Sequence, residues 1–448
     1  MRYLGISEGF HNAAYAVVKD NKIEFATEVE RITKQKNDKR IPDWHFDVLK
    51  ERYYYDKTIF HEHTDYKNAR REMHGMAKTE PCREYDIRNI FHHQSHAAAA
   101  TYTAPFVPDS TVVIDAIGEF DTASIWVDGE KVWSKTYPWS LGLFYSAITK
   151  RIGLKPNEDE YITMGMAAYG KPCIDMSDVI HQNHHKGIRV RKWFWHTPED
   201  IAASAQAHLE RELLNIFAKA RKYGANVAYA GGVALNCVAN SKIRDKFDNM
   251  WIFPNPGDAG SALGCILAHT KERVEFKDTY LGYDIKRSIN PKFVVDNLIK
   301  RKIVGVANGK AEFGPRALGN RSLLGDVRYD IKDTVNTIKR RQKFRPFAPA
   351  ILEEYVDEYF EGHTNEYMQY VAKAKHDYKS VTHVDGTARV QVVKKDCASV
   401  LRPILEEYYE RTGIPMLLNT SLNIKGQPIV NTEEDASRFQ EMYGVRVL

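Results

Sequence analysis

The sequence predicts an α/β protein in two parts, a duplicated, hairpin-led N-terminal domain and a smaller α+β C-terminal domain. Three observations carry this reading. The chain opens with an apolar strand, a glycine break and a tight hairpin, and the same succession returns from Val112. After the second hairpin, helix-like stretches at 141–152 and 202–222 lead into an apolar strand at 227–236. Beyond residues 276–283 the character changes to glycine-punctuated and basic loops, so domains spanning 1–277 and 278–448 are expected. A chain of 448 residues is also too long for one ordinary core.

Taken in order, residues 3–6 are apolar, Gly9 interrupts, 13–18 resume, Asp20-Asn21 supplies a turn, and 23–27 return. The second round runs from Val112 through the Gly118 break, 123–127, the Asp128-Gly129 turn and 132–134. Two hairpin-led halves facing each other are the plan of actin-like, sugar-kinase-type (ASKHA) folds, which hold nucleotide phosphates between the hairpins. The Tyr- and His-rich stretch 53–74 fits no element. Residues 141–152 and 202–222 read as helices, the second with Leu209, Leu213, Leu214 and Phe217 along one side. The 184–196 segment interleaves Lys186, Arg189, Arg191 and Lys192 with Trp193, Phe194 and Trp195. It reads either as a nucleic-acid surface or as a solvated strand over a buried aromatic cluster. Residues 227–236 form an apolar strand running into Gly231-Gly232, a turn suited to close approach by a nucleotide. The glycine-rich 257–264 loop makes a second such candidate.

Bulk properties narrow the classes. At 43% hydrophobic and 27% charged residues the composition is that of an ordinary globular protein. No apolar run is long enough for a membrane span, and residues 1–8 enter a core strand directly rather than a signal peptide. The five cysteines (Cys82, Cys173, Cys237, Cys265 and Cys397) are scattered, with no CxxC pair. That suits reduced thiols in a cytoplasm. A net charge of +5 permits anionic partners without requiring nucleic acid.

The chemistry centres on 91–100, Phe-His-His-Gln-Ser-His followed by four alanines. Alanine favours helix, and on a helix His92 and His96 share a face. Paired imidazoles are half of a metal site, although an isolated HxxxH is more often a satisfied surface pair. The zinc-protease alternative lacks its glutamate after the first histidine. Asp115, closing a β-branched strand, and Asp258, in a Pro-Gly-Asp-Ala-Gly loop, would complete a two-imidazole, two-carboxylate set. In the C-terminal part, 309–322 is a polar glycine-punctuated loop. Lys339, Arg340, Arg341, Lys343 and Arg345 form a basic run suited to phosphate or carboxylate, and 417–423 is a buried strand ending in small hydrogen-bonding groups.

These segments together resemble the O-carbamoyltransferase family of nodulation-factor, tobramycin and cephalosporin carbamoyltransferases. The likeness rests on Gly9-Phe10-His11-Asn12, residues 28–36, His92 with His96, 231–236, 313–322 with 344–349, and 419–423, and it runs to Val430. The resemblance implies an actin-like carbamoyl-transfer domain akin to the metal-binding subunit of tRNA threonylcarbamoyl transferases. The C-terminal domain would resemble threonylcarbamoyl-adenylate synthases. Implied substrates are carbamoyl phosphate and ATP with Mg, which would form carbamoyl adenylate. Its carbamoyl group would pass to a hydroxyl on a small metabolite or sugar, or on a hydroxymethylated pyrimidine, free or in DNA. The resemblance further implies Fe(II), or another divalent metal, on His92, His96, Asp115 and Asp258. Nucleotide contacts would come from Gly231, Gly232, Asn236, Gly257, Asp258 and Gly260. Transfer-site roles fall on His11, as proton acceptor, and on Lys36. Activation-site roles fall on Arg316, Lys339, Arg345, Arg389 and Ser421, with Asn423 as support. The chain departs from the family at Asn12 and Ala14, where Asp and Ser are usual, and in a shorter N-terminal domain. Two other readings compete, a tRNA threonylcarbamoyl transferase-like enzyme and a non-enzymatic actin-like ATP switch. The switch gives His92 and His96 no role.

Overall fold

The computed structural model describes residues 1–79, 87–182, 184–188 and 191–448, and only the backbone of Ile87, Lys186, Arg191 and Lys192. Cys82 and Arg189 lie outside the described residues. The chain divides into two compact units, Met1–Glu24 with Lys39–Phe276, and Phe25–Asp38 with Lys277–Leu448.

The first unit carries two five-stranded sheets, apart from the last residues of β3, from Phe25 on, which group with the second unit. One is made of β1 (Arg2–Ser7), β2 (Ala14–Lys19), β3 (Lys22–Glu28), β4 (Lys57–Phe60) and β5 (Ile87–Asn89), in the order β3-β2-β1-β4-β5. The other is made of β6 (Ser110–Ile114), β7 (Asp121–Val127), β8 (Glu130–Thr136), β9 (Asn226–Ala230) and β10 (Asn249–Ile252), in the order β10-β9-β6-β7-β8. Each first strand, β1 or β6, pairs antiparallel with the next strand and parallel with the one on its other side. The two sheets therefore repeat one order and one set of directions. Both hairpin turns sit at positive φ, at Asp20 (46°) and Asn21 (61°) and at Asp128 (50°) and Gly129 (80°), the primed-turn geometry that matches strand twist.

Three helices position the site. They are α1 (His92–Thr103), α2 (Pro198–Ala220) and α3 (Ser261–Thr270). Ala97 to Ala100 on α1 are buried, and on α3 everything from Ser261 to Ala268 is buried, so small side chains let these helices lie deep in the core. The start of α1 has no side-chain cap of its own. Instead the Glu119 carboxylate accepts from the His92 N–H at 3.1 and 3.2 Å, placing negative charge at the helix start. Helix α2 begins with a Thr197 cap and Pro198, and buries Leu209, Leu213 and Phe217.

The 53–74 stretch contributes β4 and a helix, Thr64–Met73. The 184–196 segment contains no strand among its described residues. It forms short 3-10 turns, with Trp193 buried and Phe194 and Trp195 exposed. The aromatic run alternates poorly, so only one of its rings reaches the core.

The second unit centres on a mixed sheet of β11 (Ile303–Ala307), β12 (Arg321–Gly325), β13 (Ala348–Leu352), β14 (Gln391–Val393) and β15 (Met416–Ser421), ordered β11-β12-β15-β13-β14. Alternation sends Leu417 to one face, with Val294, Leu298, Leu405 and Tyr408, and Met416 and Leu418 to the other, with Val335 and Phe439. Both faces are covered.

Phe217 is 1% exposed and meets Tyr229 edge-on with centroids 5.0 Å apart. Phe217→Ala is expected to destabilise the protein by about 3–5 kcal/mol, read from chemical denaturation. A loss under about 1 kcal/mol would show that this joint between α2 and β9 relaxes freely.

Candidate functional site

The first unit gathers the four predicted ligands. The donor atoms of His92, His96, Asp115 and Asp258 all lie within 4.8 Å of one another. His92 and His96 come from the first two turns of α1, Asp115 follows β6, and Asp258 opens the short turn leading into α3. His92 Nε2 stands 3.1 Å from Asp115 Oδ2 and 3.5 Å from Asp258 Oδ1, while His96 Nε2 stands 3.5 Å from that same Asp258 oxygen. The two Nε2 atoms are 3.1 Å apart. Ring nitrogens facing each other at that distance repel unless a proton or a metal cation lies between them.

Burial sharpens that requirement. His92, His96 and Asp115 are all under a tenth exposed. Burial alone would lower the His92 pKa, but Asp115 and Asp258 raise it to about 9. Burial alone would likewise raise both aspartates, yet the imidazoles hold Asp115 and Asp258 below the usual carboxylate range. The pocket therefore keeps two carboxylates ionised and draws positive charge between them. Two nitrogen and two oxygen donors suit a divalent transition metal.

The surrounding groups fix these donors. Gly232 N–H donates to Asp115 Oδ1 at 2.9 Å. Ser261 Oγ lies 3.3 Å from His96 Nδ1, and Ser7 Oγ donates to the Asp258 carbonyl at 2.8 Å. Such outer contacts set ligand orientation. Gly231, at φ +96°, runs so close to β6 that an added Cβ would fall 2.2 Å from the Ile114 carbonyl oxygen. The glycine pair thus brings an amide to the Asp115 carboxylate. Asn236 caps the helix Cys237–Arg244 and exchanges amide hydrogen bonds with Gln206 at 2.9 and 3.0 Å. Gly257 borders open space, while Gly260 is packed against the Asn255 carbonyl. His11 Nε2 lies 3.8 Å from Asp258 Oδ2, on the margin of the cluster. Lys36 lies in the 25–38 stretch that groups with the second unit, where it pairs with Glu30 at 2.8 Å.

In the second unit, Lys339, Ser421 and Asn423 come together. Lys339 Nζ donates to the Ser421 carbonyl, to the Asn423 carbonyl at 2.9 Å and to Asn423 Oδ1 at 3.0 Å, and reaches Ser421 Oγ at 3.3 Å. Burial first, then the neighbouring Arg341 and Arg345, push this ammonium well below its ordinary range. All four oxygens around it are neutral. The Arg316 loop is tethered by Glu312, which accepts from the N–H groups of Leu318 (2.7 Å) and Asn320 (3.0 Å), and by Asn419 donating to the Ala317 carbonyl at 3.1 Å. Asn336 donates to the Arg345 carbonyl at 3.0 Å and so holds that loop. Arg389 presents a buried Nε with no hydrogen-bond partner among the described residues.

Sequence reasoning missed Glu119, Ser261 and Glu312 as organisers. Each acts on backbone or on a ring nitrogen across a turn, and sequence spacing carries little trace of that.

The chain matches the Carbamoyltransferase N-terminus family model over residues 46–197 and 184–267, and the Carbamoyltransferase C-terminus model over 295–448. It is 30% identical to an uncharacterized protein of Synechocystis, across 97% of this chain and 93% of that protein. It is 32% identical to nodulation protein NolO of Bradyrhizobium diazoefficiens, across 77% of this chain and 75% of that one. Nodulation protein NolNO of Sinorhizobium fredii is 29% identical, across 95% and 76%. The Synechocystis alignment runs over 579 positions against the 448 residues of this chain, so that relative carries segments this chain lacks. Among solved structures, T. kodakarensis HypF aligns at 16% identity over 60% of this chain and 48% of that one, with a TM-score of 0.38, too weak a likeness to carry an argument. The chain belongs to the carbamoyltransferase family and is an enzyme of carbamoyltransferase type.

Gly231→Ala tests the joint behind Asp115. The positive φ and the blocked Cβ position predict a loss of roughly 1–3 kcal/mol in stability, together with weaker divalent-metal binding, read by thermal unfolding and metal titration. Unchanged metal affinity would show that the glycine pair does not position Asp115.

Proposed function

We propose that this carbamoyltransferase is an ATP-dependent O-carbamoyltransferase that uses carbamoyl phosphate and works through carbamoyl adenylate. Its first unit is read as a duplicated actin-like transfer domain and its second as the adenylate-forming domain. The cytoplasm is its proposed location; no helix among the described residues is long and apolar enough to cross a membrane. The observation that carries the reading is the convergence of His92, His96, Asp115 and Asp258 inside a family-matched chain.

Water first splits carbamoyl phosphate into carbamate and phosphate. A carbamate oxygen then attacks the ATP α-phosphorus, forming carbamoyl adenylate and expelling pyrophosphate, which Mg accompanies. Negative charge builds on phosphate oxygens in that step. Lys339 and Arg345, with Arg316 and Arg389 on their tethered loops, are the groups proposed to stabilise it. Ser421 and Asn423 fix the Lys339 ammonium. In the transfer step the acceptor hydroxyl attacks the carbamoyl carbon, the new ester forms and AMP leaves. His11 Nε2 accepts the hydroxyl proton, and Lys36 balances charge on the adenylate phosphate. The four ligands suit Fe(II), which would supply Lewis acidity toward donor oxygens when bound. Gly231, Gly232, Asn236 and the 257–260 turn are the proposed nucleotide contacts.

Pyrophosphate release from ATP should depend on carbamoyl phosphate in the wild type and fall by about 10²–10³ in Arg316→Ala. Metal affinity should fall about 10–100-fold or more in His92→Ala, read by metal content after dialysis. Pyrophosphate release indifferent to carbamoyl phosphate would sink the reading and leave an ATP-dependent switch.

A further inference from the structure

A second set of soft and borderline ligands lies away from the site just described. Cys173, His196 and Asp200 place their donor atoms within 4.8 Å of one another. Cys173 is exposed, whereas Cys237 and Cys265 are buried and Cys397 is half-buried. Its sulfur lies 3.6 Å from His196 Nδ1. With metal–sulfur and metal–nitrogen bonds of about 2.3 and about 2.05 Å, two ligands on one tetrahedral zinc stand roughly 3.6 Å apart. The observed spacing is the edge of such a tetrahedron.

The chain holds these ligands in place. Gly170 runs against the first turn of α2 so closely that an added Cβ would lie 2.0 Å from the Glu199 carbonyl oxygen. Lys171 N–H donates to Asp200 Oδ1 at 2.8 Å, leaving a second carboxylate oxygen for a cation. The N–H groups of Cys173 and Ile174 both donate to Ser204 Oγ at 3.1 Å. The loop is thereby docked on the helix, with its thiol over the residues that start it. A helix start favours the anionic forms of thiol and carboxylate, and one thiolate with one carboxylate balances a divalent charge.

An independent observation marks the same place. Cys173 lines a cleft of about 640 Å³ whose walls include Trp139, His208 and Arg211. His208 is 4% exposed, its Nδ1 accepts from Arg211 Nη2 at 2.7 Å, and its Nε2 has no hydrogen-bond partner among the described residues. Since arginine only donates, the neutral ring carries its proton on Nε2, so a histidine with an unspent donor stands in the wall of this cleft.

We propose that Cys173, His196 and Asp200 form a second metal site for a zinc-class divalent cation, with its fourth position open to a ligand from this cleft. Binding displaces the thiol proton to solvent and involves no redox change.

The test is a Co(II) titration of the reduced, metal-free protein, read by the thiolate-to-cobalt charge-transfer band. The cluster at His92 contains no sulfur and cannot give that band. One equivalent of band is expected in the wild type. It should be absent in Cys173→Ser and need at least about tenfold more cobalt in His196→Ala and Asp200→Asn. Cys173 and His196 lie outside the buried core, so these variants should fold, and circular dichroism checks it. No band in the wild type, or a band surviving Cys173→Ser, overturns the site. A band lost in Cys173→Ser but untouched by both other changes overturns the three-residue set.

Discussion

Two carboxylates and two imidazoles buried against one another set the terms for the first unit. A buried ionised carboxylate is costly without a partner, and Asp115 and Asp258 share the same two rings. Their arrangement demands positive charge at one point, and the fold is arranged to keep that demand. α1 brings both rings, β6 ends in one carboxylate, and the turn before α3 brings the other. Glu119 holds the start of α1, so the carboxylate lies on backbone amides and stays out of the ligand set. The glycine pair after β9 gives its amide to Asp115. Several strands and helices therefore end at one point, where these four side chains meet.

Much of this was legible in the sequence. HxxxH followed by alanines, a β-branched strand closing on Asp115 and a Pro-Gly-Asp loop each carry their chemistry in a handful of neighbouring residues. The Asp20-Asn21 and Asp128-Gly129 hairpins were readable because turn chemistry is local. The 53–74 stretch was not, because β4 is a four-residue strand that owes its existence to pairing with β1, and charged residues on the adjoining helix obscure its period. The aromatic-basic 184–196 segment misled for a related reason. Composition suggested a strand, but only Trp193 finds a place in the core. Asn236 shows a further limit, since nothing in its neighbours foretells that its amide also caps a helix and pairs with Gln206.

The cations of the second unit differ in how completely they are satisfied. Arg321 is fully buried, and its guanidinium donates to the carbonyls of Asn431, Asn308, Gly309, Asn320 and Tyr283. Every direction of the fork is used, so Arg321 ties loops together and has nothing left for a substrate. Arg389 keeps a buried Nε unpaired, and Lys339 is buried among neutral oxygens with Arg341 and Arg345 close enough to depress its pKa. Like charges close to a buried ammonium raise its free energy, and the neutral oxygens around Lys339 offset that cost only in part. The first unit gathers two carboxylates and two imidazoles at one point, and the second buries Lys339 with two arginines nearby. On the proposed reading these two groupings are the metal-holding and the phosphate-facing parts of the enzyme, whereas a scaffold of the same fold would gain stability by meeting each demand with its own side chains.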